Sequence, residues 1–207
     1  RSPYSTGNFA ISTVLIKTAF KNSDEFGSEA FDDFRENRLK IANRLASNYY
    51  GGAPYAVDAE GYPAGFGKNS QSVLLPAFLA AYTGAGASDV SLGILRNIPI
   101  PNWNVKYNGL MRYKYFKEKF KRFSLQHNYK ASYTINSFRS NLDYQEGVNP
   151  LNGNLYERTL VGNVNLVEQF NPLLRLDLET KSSFKFLAEM KKDRALSLSF
   201  DNNLLTE

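Results

Sequence analysis

The chain has 207 residues, no cysteine, one histidine and a net charge of +5, which bounds it at one domain or two small ones and excludes disulfides, thiol chemistry and cysteine- or histidine-cluster metal sites. Mean hydropathy is −0.41, and the longest apolar run, around Val73 to Tyr82, is far short of the eighteen or so residues a spanning helix needs. Basic residues alternate with acids, so the positive balance reads as a mixed surface with no nucleic-acid partner.

Asn8 to Phe20 is β-branched and apolar on both parities and reads as a first strand. Ser28 is placed to cap a helix running through Ser47, with Phe31, Phe34, Ile41 and Leu45 three to four residues apart and Arg38 interrupting the stripe. Tyr49 to Asn69, rich in Gly, Pro and Tyr, reads as an irregular loop; the glycines before Lys68 miss phosphate-loop spacing, and Asn69 stands where Ser or Thr is required. Gln71 to Tyr82 reads as a short helix around Pro76, followed by a Gly-Ala turn and an irregular run to Pro101.

From Trp103 onward the chain alternates with a period of two, the mark of strands with one oily and one wet face. Trp103, Val105, Tyr107, Met111 and Tyr113 oppose Lys106, Arg112 and Lys114, and a charged turn at Lys117 to Arg122 follows. Leu125, His127, Tyr129, Tyr133 and Ile135 then oppose Gln126 and Lys130. After a loop over Arg139 to Tyr156, Leu160, Val164 and Leu166 oppose Asn163 and Asn165, and Asn171 with Pro172 reads as a tight turn. Leu174, Leu176, Leu178, Phe184 and Phe186 oppose Arg175, Asp177, Glu179, Lys181, Lys185 and Glu189. A charged turn at Lys191 to Arg194 leads into Leu196 and Leu198.

Leu173 to Met190 would run roughly 60 Å as one strand, where soluble strands usually end near 20 Å. About six long strands joined by alternately long and short connections suit an outer-membrane barrel. The expected fold is therefore mostly β: a segment of a very large antiparallel transmembrane β-barrel. Residues 21–102 form a long, partly helical extracellular insertion, and residues 103–207 supply consecutive strands. The apolar parity is expected to face outer-membrane lipid and the polar parity the lumen. Too few strands are present to close a barrel, so the rest must come from elsewhere, and the chain is expected to be an internal piece of a longer polypeptide.

No catalytic, cofactor or metal constellation emerges. His127 shares the parity of Tyr129 and Tyr133 and reads as an interfacial ring, while Glu29, Asp32, Asp33 and Glu36 read as a solvated helix face.

YSTGNFAISTVLIKTAF, EGYPAGFGKNSQSVLLPAFLAAYTGA, SLGILRNIPIPNWNVKYNGLMRYKYF and NPLLRLDLETKSSFKFLAEMKKDRALSLSF closely resemble the C-terminal part of the SprA/Sov proteins, the outer-membrane translocons of type IX secretion in Bacteroidetes. The resemblance covers nearly the whole chain, loops included. It implies a single-chain barrel of the largest known class, about 36 strands, through which folded substrates carrying C-terminal sorting domains pass. It also implies an extracellular cap, a lateral opening, a PorV-like shuttle barrel and a periplasmic plug protein as partners. Phe31, Phe34, Leu74, Leu75, Phe78 and Leu79 are expected to pack the cap core or to meet a partner. The competing readings are a passive porin or nutrient transporter, which needs solute-binding side chains, and a soluble β-rich module for polysaccharide or RNA.

Overall fold

The structure, a computed structural model, describes residues 4–23, 27–201 and 204–206. It is mostly β: one antiparallel sheet built from β1 (Thr6–Ser12), β2 (Trp103–Tyr107), β3 (Phe120–Ser140), β4 (Thr159–Val161), β5 (Asn163–Thr180), β6 (Lys185–Ser199) and β7 (Leu204–Thr206). The order is β1-β3-β5-β6-β7, with β2 and β4 also paired to β3. β3 has 21 residues, β5 18 and β6 15. At about 3.3 Å per residue β3 approaches 70 Å, so unusual strand length is present.

The segmentation differs from the expected one in several places. The charged run Lys191 to Arg194 is not a turn: β6 passes straight through it, each residue facing a partner on β5 or continuing the strand. The hairpin turns instead at 181–184, where Thr180 N–H donates to Phe184 O at 2.9 Å and Ser183 takes a φ of 68°. Lys181 and Phe184 are therefore turn residues. Asn171 and Pro172 do not turn the chain either. They lie inside β5, at an irregularity where the ladder slips between Phe170 and Leu174, a place where a residue lacking an N–H is tolerated. The strand from Trp103 also stops early, at Tyr107; Met111 and Arg112 fall in a 3-10 turn at Gly109–Arg112, and Lys114 opens the short helix α1 (Lys114–Lys119) with Tyr113 at its N-cap.

β1 and β2 are two pieces of one edge lane. β1 pairs with Ser132 to Arg139 of β3, and β2 with Leu125 to Tyr129. Between them the chain leaves at Thr13, whose N–H still donates to Ala131 O at 3.1 Å, and returns at Asn102, whose Oδ1 accepts from Ala131 N–H at 2.8 Å. Residues 13–102 are thus inserted at a single rung of the ladder. The first strand expected over Asn8 to Phe20 ends at Ser12 because residues 13–20 cross the sheet face, burying Leu15 and Ala19.

The insertion carries two helices, α2 (Glu29–Tyr50) and α3 (Gln71–Thr83). Ser28 caps α2 as its sequence position requires, its Oγ accepting from Phe31 N–H at 3.4 Å. Gly51 and Gly84, with φ of 58° and 66°, end the two helices in the left-handed region that a side chain disfavours. Every residue of α3 from Val73 to Tyr82 is buried, which explains why its apolar residues show no amphipathic period. α3 lies in a core shared with Ile41 and Phe34 of α2 and with Tyr133, Ile135, Val164, Leu166, Leu196 and Leu198 of the sheet.

Candidate functional site

The pairing places the alternating residues on two faces. Leu125 lies opposite Leu176, Tyr133 opposite Leu166, Ile135 opposite Val164, Leu178 opposite Phe186 and Leu166 opposite Leu196, so the apolar parity is continuous across β3, β5 and β6. Lys106, Gln126, Lys130, Asn163, Asn165, Arg175, Asp177, Glu179, Lys185 and Glu189 are strand residues of the other parity. Ion pairs of both signs cover that face: Arg175 to Glu189 at 3.2 Å, Arg122 to Asp177 at 2.8 Å, Lys121 to Glu179 at 3.6 Å. Exposed pairs of this kind add little to stability. Their effect is to make the face wet.

Along its length the apolar face divides in two. Toward the loop end, Tyr129, Tyr133, Ile135, Val164, Leu166, Leu196 and Leu198 are buried beneath the helical insertion. For these the expectation of lipid contact is corrected: the protein's own helices and the 13–20 crossover occupy the space. Leu160, in β4, is only half-buried. Toward the short-turn end the face is bare. Val105, Tyr107, Leu174, Phe184, Phe186 and Met190 are exposed, with Phe186 at 44% and Met190 at 61%; Leu125, Leu176 and Leu178 are half-buried. Along β3 this less covered stretch runs from Phe120 to His127, about 25 Å.

Aromatic groups mark both limits of this band. At the tip Phe116, Phe120 and Phe123 form a cluster with centroids 5.1 to 5.9 Å apart, beside exposed Tyr113, Tyr115, Lys117 and Lys181. At the inner limit Trp103 stacks on Tyr129 at 4.4 Å, and His127 sits 6.2 Å from Trp103 and from Phe170 with Nδ1 2.6 Å from Leu173 O.

At the boundary between bare and covered ends lies a polar cluster that the alternation pattern passes over. Glu168 and Arg194 are direct cross-strand partners on the apolar face. Glu168 is 1% exposed, and Arg194 Nη2 reaches its Oε2 at 3.0 Å. Tyr129 Oη donates to Glu168 Oε1 at 2.6 Å and accepts from Leu15 N–H at 2.8 Å. Arg194 also donates to Thr18 O and Thr18 Oγ1, each at 3.0 Å, and Thr18 Oγ1 donates to Tyr82 O at 2.5 Å. The network ties β3, β5 and β6 to the crossover and to α3. Its signal in the sequence is two opposite charges breaking the apolar parity at positions that pair.

A second tie holds the start of α3. Gln71 mimics a strand partner of β4, its Nε2 donating to Thr159 O at 2.9 Å and its Oε1 accepting from Val161 N–H at 2.7 Å. Glu157 accepts from Ser72 N–H at 2.9 Å, capping the helix start. Burial pushes the Glu157 carboxyl above its ordinary value, against the opposing pull of the Ser72 hydrogen bonds. A carboxyl raised on folding contributes stability that is full below its unfolded value of 4.5 and is lost as pH rises through the folded value. Thermal melts between pH 4 and 7 should therefore show wild type gaining on Glu157→Gln as pH falls; a constant gap would contradict the raised carboxyl.

Of the residues expected to form a cap core or partner surface, Phe34, Leu74, Leu75, Phe78 and Leu79 are buried within this chain and Phe31 is 40% exposed. The five buried residues pack the core of the insertion, and Phe31 lies at its margin. Among the described residues no group of His, Asp and Glu is arranged to hold a metal ion, and no helix is long and apolar enough to cross a membrane, which says nothing of strands. No protein-family model matches the chain, and no curated protein matches it.

Proposed function

We propose that the chain forms part of the wall of a large outer-membrane β-barrel, the protein-conducting channel of type IX secretion that its sequence resembles. The observation that carries this reading is the bare apolar band at the short-turn end, backed on the same strands by an ion-paired polar face. In water such a band exposes several large side chains, each worth roughly 1.5 to 3 kcal/mol when taken out of water. In hydrocarbon it is at rest, and the charged face then borders a hydrated lumen.

Two further features support the reading. The outer edge of β6 from Lys185 to Arg194 and the outer edges of β1 and β2 pair with no other strand among the described residues; unpaired amides in lipid cost several kcal/mol each, so neighbouring strands from the remainder of the polypeptide complete the wall. The short connection at 181–184 lies at the bare end and the long 141–158 loop at the other, as outer-membrane barrels arrange periplasmic turns and external loops. In this reading the insertion roofs the strands beyond the bilayer, as a cap. A lumen lined by Lys, Arg, Asp, Glu and Asn of mixed sign lets a folded cargo slide past without being held. The shuttle barrel, the plug protein and cargo with a C-terminal sorting domain belong to the same proposal.

Trp103 is the single tryptophan and stands at the inner limit of the band, so its fluorescence in vesicles of brominated lipid tests the reading. Shallow bromines should quench it more than deep ones; no quenching from either would overturn lipid contact. Phe186→Arg sharpens the test. In a lipid-facing wall it should cost about 2 to 4 kcal/mol near the midplane. At a water-exposed position it should cost under about 0.5 kcal/mol.

A further inference from the structure

We propose that the cleft between residues 83–100 and the root of the insertion binds the phosphate of an anionic amphiphile, with Arg96 as its principal ligand and Lys17 as a second cation. The cleft, of about 370 Å³, is lined by both side chains together with Tyr133, Leu79, Ile98 and Ile100. Arg96 is half-buried, yet among the described residues it makes no hydrogen bond and no ion pair. A guanidinium removed from water without a partner is expensive, and burial pulls Arg96 below its ordinary value with no carboxylate among the groups acting on it. Its position is not slack: Tyr133 Oη donates to Ile94 O at 2.8 Å, pinning the backbone two residues before it.

The charge and shape of the cleft define the ligand. Arg96, Lys17 and Asp89 all line the cleft, with Asp89 accepting from Ser88 Oγ at 3.3 Å, so the lining carries one net positive charge. That balance suits a monoanionic phosphodiester, and the planar fork of arginine matches phosphate oxygens in pairs. Ile98 is 80% exposed and Ile100 42% exposed at the mouth, apolar surface that an acyl chain would cover. The inference does not rest on the wall reading, because it concerns a cleft on the insertion and is tested with probes that are monomeric in water.

The test is titration of the 207-residue chain with dihexanoyl-phosphatidylglycerol below its micelle concentration, beside dihexanoyl-phosphatidylcholine and inorganic phosphate. Saturable binding of the anionic lipid is expected, weakened about tenfold in Arg96→Gln, as loss of a charge-assisted contact implies, and partly restored in Arg96→Lys. Arg96 holds nothing inside the chain, so the variant should melt with wild type; if it does not, Lys17→Gln, at an exposed position, carries the test with a smaller loss. Tighter binding of the lipid than of phosphate identifies a headgroup with its chains, and equal binding identifies free phosphate as the occupant. Equal binding of the anionic and zwitterionic lipids, or undiminished affinity in Arg96→Gln, overturns the site.

Discussion

Arg194→Met should destabilise the chain by about 3 to 5 kcal/mol, because it strands Glu168 as an uncompensated charge in a nearly dry site. The loss is in the partner left behind: Glu168 is 1% exposed and keeps only the Tyr129 hydroxyl. Removing both charges, in Glu168→Leu with Arg194→Met, should recover much of it, since apolar replacements of buried ion pairs are often neutral or better. Recovery should be incomplete. Tyr129 Oη loses the carboxylate to which it donates at 2.6 Å, and a buried donor left unsatisfied costs about 1 to 3 kcal/mol; the Arg194 contacts to Thr18 O and Leu15 O are a smaller loss, because each carbonyl keeps a backbone N–H donor. Urea unfolding of the three variants in one detergent gives the cycle; a double variant no more stable than Arg194→Met would mean that the arginine acts through the crossover alone.

Phe78→Ala is the second large effect, expected at about 3 to 5 kcal/mol. Phe78 is fully buried in α3, edge-on to Phe34 at 6.5 Å and 5.1 Å from Tyr82. No neighbour is free to collapse into the space, because α3 is enclosed on all sides from Val73 to Tyr82. Phe31→Ala provides the contrast, a 40% exposed ring at the margin of the same cluster, where a change within about 0.5 kcal/mol is expected. Equal losses at the two positions in chemical unfolding would mean that α3 is not a packed core element.

The sequence was most legible where structure is local and periodic. Alternation from Leu125 to Ile135 and from Leu174 to Leu178 assigns each residue to the face it occupies, because a strand has a fixed period and any slip of one would expose every leucine at once. The Ser28 cap was legible for the same reason, being a contact within four residues. Turns were misread because the sequence signal for a turn is polarity, and Lys191 to Arg194 is polar for another purpose: Arg194 reaches Glu168, and Lys192 stands 4.8 Å over the Phe20 ring. The true turn uses Ser183 in a backbone region usually left to glycine. The burial of Tyr133, Val164 and Leu198 could not be read from alternation, since hydrocarbon and a packed helix ask for the same side chains. Which of the two lies opposite is a matter of tertiary partners.

The insertion at one rung has a mechanical consequence. Since departure at Thr13 and return at Asn102 meet at Ala131, β3 remains continuously bonded past the junction, first to β1 and then to β2. Tension along the lane therefore bypasses the helices, and their removal or exchange leaves strand count and stagger as they were. A sheet of fixed strand count can in this way carry interchangeable fittings.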